Sequence, residues 1–229
     1  MSTLLVTAKL DAAARAAAKI ATGEFMPKSP SRRSRTSRSP SPRLPVIAME
    51  SLTPEQQALV EAIKSGPRGR FSNEGPFAVY LHAPTFGQLA QQLGGHLRYR
   101  TSVPPRLKEF AILCTGQYWK AQYEWHAHAM IAAKQGVKAA TIRDLRAGRA
   151  PKSAPPDEMA IYAFVKELYA TRRVSNATYA RVHKLLGVAG MVELVGILGY
   201  YVLISMTLNV FRMPLPAGVP APFREPGSK

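Results

Sequence analysis

From about residue 52 to residue 211 the chain sets apolar residues at helical spacing between short polar breaks. Leu107, Phe110, Ala111, Cys114, Gln117 and Tyr118 recur at that period, and the unbroken apolar run from Phe110 to Cys114 predicts a helix covered on most sides. After Trp119 and Lys120 a second helical pattern begins, and Gly136 supplies the left-handed residue that commonly ends one. Ala127, Ala129, Ala132 and Ala133 allow neighbouring helices to approach closely, so the two patterns form a helical hairpin. Ahead of it, Thr53-Pro54-Glu55-Gln56 reads as a helix start, with Thr53 as N-cap and Gln56 closing a capping box, and that helix should run to about Ser65. Residues 66 to 75 read as an exposed loop and Phe77 to Leu81 as a short apolar stretch. Phe86, Leu89, Ala90 and Leu93 make the next helix, which Gly94-Gly95 should stop.

Beyond the hairpin, residues 138 to 147 read as a short helix ended by Gly148. Asp157 starts another through about Thr171, with Ile161, Phe164, Val165 and Leu168 on its inner face, and Ser175 caps one that ends at Gly187. Met191 to Phe211 is apolar for about the length that spans a bilayer. Glu193 at its start and Ser205, Thr207 and Asn209 in its second half argue instead for a covered helix of a folded domain, with no membrane partner. No segment alternates at the strand period. The expected fold class is all-α.

A chain of 229 residues with 46% hydrophobic content suits one domain with a sizeable core. Charge changes the picture. Of the +17 net charge, +7 lies in residues 1–48, which hold nine Lys and Arg against two acids. Within them an alanine-rich stretch, Lys9 to Ala21, matches a short amphipathic helix, whereas residues 27–45, rich in Ser, Arg and Pro, bury no core. The expected organisation is therefore a disordered basic extension, 1–48, and a folded domain, 49–229. The extension reads as a tail or as sequence upstream of a start at Met49, with a transit peptide or a nucleic-acid-binding arm as sharper alternatives. The domain's own positive balance suits a small anionic substrate, nucleic acid or anionic lipid. A single cysteine excludes an intrachain disulfide framework and agrees with a reducing, cytoplasmic setting.

Candidate chemistry concentrates in the hairpin. Ala121, Glu124 and His128 share one helix face, and Glu124 reaches His128 one turn away. A carboxylate favours the imidazolium while desolvation opposes charge, so this pair is expected to hold a proton near neutral pH. Glu109 sits beside the core and needs a partner, Arg106 or Lys108 being the nearest in sequence. His126 points away from His128, and no third ligand joins Glu124 and His128, so neither a metal nor another cofactor is expected. Tyr118, Trp119 and Trp125 are candidates for an aromatic pocket wall, with core packing as the alternative. His82 and His96 rank behind them, and Cys114 in its apolar run should be inert because burial raises a thiol pKa.

PPRLKEFAIL, YEWHAHAMIAAKQGV and VELVGILGYYVLISMTLNVFRMPLP together resemble the carboxymuconolactone decarboxylase superfamily, which includes the alkylhydroperoxidase D-like proteins. The resemblance spans roughly Leu52 to Pro216. It implies an alkylhydroperoxidase D-like helical domain that assembles as a homo-oligomer, trimers or hexamers being usual, with the last helix covered by its own domain and a neighbour. FAVYLHAP is also family-like, and the resemblance places His82 near a pocket entrance. In the peroxidase branch a glutamate is followed at twelve and fifteen residues by two cysteines and four residues later by a histidine; from Glu109 those offsets land on Ala121, Glu124 and His128. Glutamate and histidine match, and both redox cysteines are missing. A dithiol cycle needs two sulfurs within bonding reach, so the decarboxylase-like branch without the CxxC fits better. The implied activity is cofactor-independent decarboxylation or enolisation of a small lactone or carboxylate. His128 would be the acid, tuned by Glu124 and oriented by Glu109, with Tyr118, Trp125 and His82 contacting substrate and a basic side chain holding its carboxylate. The alternatives are an antioxidant peroxidase working through Cys114 alone and a non-catalytic binding protein whose basic tail takes nucleic acid.

Overall fold

Thr53 opens the first helix with the expected reciprocal cap: its Oγ1 accepts from the Gln56 amide and its own amide donates to Gln56 Oε1. The computed structural model describes residues 41–224, so the alanine-rich stretch and the tail as far as residue 40 lie outside the described residues. Among the described residues there are eight α-helices and no strand. They are α1 (Pro54–Ser65), α2 (Gly75–Tyr80), α3 (Pro84–Tyr99), α4 (Pro105–Tyr118), α5 (Gln122–Lys134), α6 (Ala139–Arg146), α7 (Pro156–Thr171) and α8 (Asn176–Phe211). The described residues are all-α, as expected.

The hub is α4. Every residue from Leu107 to Gly116 is buried, because α5, α7 and α8 pack on different sides of it. Over that run it has no solvent face, and burying side chains such as Phe110, Ile112 and Leu113 stabilises the fold by about 1.5–3 kcal/mol each. At its C-terminus Lys120 takes a left-handed φ of 50°, which turns the chain into α5 and completes the hairpin.

Two boundaries differ from the sequence reading. Gly94-Gly95 does not stop α3, which continues to Tyr99. Gly94 serves tertiary contact: a β-carbon there would be driven into the hydroxyl and Cζ of Tyr200, so the absent side chain lets α8 lie against α3. At Gly187 the chain does leave helical geometry, with φ 66°, but it resumes at once, and α8 runs 36 residues across this break. Its second part buries Leu194, Ile197, Leu198, Tyr201 and Ile204 against the domain, while Val188, Val192, Val195, Met206 and Val210 face outward. Glu193 accepts from both the amide and the hydroxyl of Ser102, at 2.8 and 2.6 Å, which accounts for a carboxylate at the head of so apolar a helix.

The packed chain begins ahead of Met49. The Arg43 amide donates to the Phe211 carbonyl, Asn73 Nδ2 donates to the Ile47 carbonyl, and His82 Nε2 lies 3.1 Å from the Pro45 carbonyl. Residues 42–47, grouped with the extension on composition, thus lie along the domain. Arg43 donates from this strap, while Pro45 and Ile47 contribute carbonyls, so the missing N–H of Pro45 costs no contact.

Candidate active site

The hairpin brings three titratable side chains into the core. Glu109 lies in the second turn of α4, and Glu124 stands in the first turn of α5, where the helix dipole favours a carboxylate. His128 follows one turn later on the same face. Glu109, Glu124 and His128 are 3%, 4% and 4% exposed, so each must find its partners inside the protein.

They find each other. His128 Nδ1 lies 2.6 Å from Glu109 Oε2, and Nε2 lies 3.0 Å from Glu124 Oε1. A neutral imidazole has one lone pair, which here would face a carboxylate; only the imidazolium offers a donor on both sides. Burial by itself lowers the His128 pKa, but the Glu124 charge and the hydrogen bond to Glu109 outweigh it and carry the group up to about 9. The proton expected to sit near neutral pH is therefore firmly held at pH 7. The two sides differ in quality: the Glu109 contact is a short hydrogen bond, whereas Glu124 Oε1 sits at ion-pair distance without a well-aligned donor. The Nε2 proton is the looser of the two.

The sign of the pH effect follows. A histidine whose folded pKa is raised contributes stability fully present below its unfolded value, about 6.5, and lost as pH rises through about 9. The stability difference between the wild type and His128→Gln, from urea unfolding, should shrink steadily between pH 6.5 and 9. A difference independent of pH over that range would show that His128 is not charged in the folded state.

Sequence proximity misassigned the partners of Glu109. Arg106 pairs with Asp157 and Glu158 at 2.5 Å each, and Lys108 Nζ donates to the Arg98 carbonyl at 2.6 Å. The other expected substrate contacts lie elsewhere. Tyr118 is nine residues beyond Glu109 on α4, about 13.5 Å along the axis, half exposed and packed on Tyr169 with ring centroids 4.7 Å apart. Trp125 is a core residue against Phe223, at 5.3 Å. His82 lines a cavity of about 250 Å³ with Asn73, Tyr123 and the 42–47 strap; none of the three buried groups borders it. His96 is exposed near the end of α3.

The aromatic neighbour of His128 is Tyr201, set edge-on with centroids 5.0 Å apart, and Tyr200 stands beside it at 5.5 Å. Burial raises the Tyr201 pKa well above its ordinary value, so its phenol stays neutral. The available signal was the pair of hydroxyl-bearing rings in the otherwise aliphatic run GYYVLI. Cys114 is buried, and burial pushes its thiol far above the usual range, leaving no thiolate.

Residues 84–167 match the model of the carboxymuconolactone decarboxylase family, and this span contains Glu109, Glu124 and His128. This stretch of the chain is thus similar in sequence to that family. A search of curated proteins found no match. Among solved structures the chain is similar to the alkylhydroperoxidase AhpD core described as an uncharacterized peroxidase-related protein from Ralstonia eutropha JMP134. The two share 16% identity over 78% of this chain and 94% of that one, with a TM-score of 0.63, a likeness of fold. The family match ends inside α7, so the α8 side of the site, including Tyr200 and Tyr201, lies outside it.

Proposed function

We propose that the protein is a cofactor-independent acid-base enzyme of the decarboxylase-like type, acting on a small lactone, enol or carboxylate. The observation that carries this reading is the buried imidazolium held between two carboxylates. When carbon dioxide leaves a β,γ-unsaturated or enolisable acid, or a proton leaves next to a carbonyl, the electron pair passes into an enolate that must be reprotonated. His128 Nε2–H supplies that proton, Glu109 holds the ring through Nδ1, and Glu124 helps the imidazole regain a proton from solvent. No redox partner is involved. Assays of carbon dioxide release from carboxylated lactones, run beside hydroperoxide consumption with a thiol reductant, separate this reading from the peroxidase one; turnover of peroxide alone would contradict it.

The protonated, buried Cys114 supports acid-base over thiol chemistry, because a peroxidatic sulfur must be a thiolate. The basic residues 1–48 suit binding of nucleic acid, and the single cysteine suits a cytoplasmic location.

A homo-oligomer fits the outer face of α8. Val188, Val192, Val195, Gly199, Val202 and Met206 repeat at alternating spacings of four and three, the seam by which helices of identical chains pack side by side. We expect Val192→Asp with Val195→Asp to reduce the mass measured by light scattering to that of one chain. An unchanged mass would place the subunit contact elsewhere.

A further inference from the structure

The three buried groups together carry a net charge of −1, which repels the anionic substrates proposed above. An acid-base site for a carboxylate therefore needs cations close by that are not already neutralised. Arg68 and Arg98 meet this condition. Their guanidinium carbons lie 5.9 and 5.5 Å from the same Tyr99 ring, and Arg68 also stands 4.8 Å over Phe77. Among the described residues neither arginine makes an ion pair. Two like charges gathered about one ring without a carboxylate between them repel, and an anion would relieve them.

One orphaned polar atom marks the same place. Arg68 Nε is buried without a hydrogen-bond partner, and the hydroxyl of Tyr80, a side chain 1% exposed, has only the Tyr200 hydroxyl to bond. A ligand or water would satisfy the Arg68 Nε donor. Arg98 stands one turn beyond Gly94 on α3, Gly94 meets Tyr200, and Tyr200 leads through Tyr201 to His128, so this face of α3 is turned toward the buried triad. Tyr200 can reach this position only because Gly94 has no side chain. The Tyr99 ring that both arginines approach is half exposed.

We propose that Arg68, Arg98 and the hydroxyl of Tyr80 form the carboxylate-holding wall of the active site, and that its ligands are small planar organic acids. This rests on the reading of the triad as an acid-base site. The arginines hold the carboxylate that is retained, Tyr80 donates to one of its oxygens, and the aromatic rings of Tyr99 and Phe77 keep the guanidiniums in place.

Calorimetric titration of the full chain with benzoate and with neutral benzamide tests it. Benzoate should bind at least tenfold more tightly than benzamide. Arg68→Met and Arg98→Met should each weaken benzoate at least tenfold, while Tyr80→Phe, which removes only the hydroxyl, should weaken it severalfold. Arg68→Lys and Arg98→Lys keep the charge and should restore part of the affinity, which serves where a methionine variant does not fold. Equal binding of benzamide, or benzoate binding untouched by the substitutions, would overturn the wall. A ¹⁵N titration of the His128 imidazole in the ligand-free protein keeps the two ideas separate. A pKa near 9 with no arginine-dependent binding leaves the triad standing without the wall; a pKa near the ordinary value removes the triad reading itself.

Discussion

Replacing His128 with alanine should lower turnover by about 10²–10⁴-fold, the usual worth of a positioned proton donor. It should also destabilise the fold, because His128 is the cation that two buried carboxylates share. Removing one member of a buried ion pair costs about 3–5 kcal/mol, less whatever is recovered when one carboxyl takes up a proton. The two effects separate in His128→Gln. Glutamine fills much of the space and can still donate toward one carboxylate, so stability should partly return while activity stays lost. Urea unfolding and turnover measured on the same preparations decide it, and activity that returned along with stability would make His128 a structural residue.

The second large effect is expected at Gly94. A β-carbon there collides with the Tyr200 ring and hydroxyl, and neither can retreat easily because Tyr200 is itself packed on Tyr201. Overpacking of this kind costs about 1–3 kcal/mol. Gly94→Ala should therefore lower the urea midpoint and, by shifting Tyr200 and Tyr201, weaken activity as well. The neighbouring Gly95 is the control: its nearest obstacle is Pro67 Cγ at 3.6 Å, an ordinary contact. Gly95→Ala should be neutral or stabilising by up to about 1 kcal/mol, since alanine is the better helix former. If both substitutions behaved alike, close packing of α8 on α3 would not be the reason for the glycine.

That pair of glycines also shows where sequence reasoning stops. Local rules read Gly94-Gly95 as a helix end, and tertiary contact overrode them. The capping box at Thr53, the left-handed turn at Gly136 and the apolar face of α7 depend on near neighbours in sequence, and all were legible. The triad was legible in its members, because Glu124 and His128 are one turn apart and Glu109 stood at a recognisable offset. Its pairing was not. Which carboxylate takes which ring nitrogen depends on how α4 and α5 cross, and burial, which decides the charge state, depends on α8. The packing of the aromatic rings was hidden for a related reason: Tyr118 and Trp125 are close to the triad in sequence, but helix geometry carries one along the axis to Tyr169 and the other around it to Phe223. Tyr201, some seventy residues away in the chain, arrives only through packing.

The central claim is that His128 transfers a proton to carbon, and solvent-deuterium exchange tests it most directly. The full chain and its His128→Gln variant would be incubated with a carboxylated lactone in deuterium oxide and the recovered material read by NMR. The account predicts deuterium at the carbon next to the carbonyl or at the site of carbon dioxide loss with the wild type, and none above background with the variant. Equal incorporation by both proteins would contradict it.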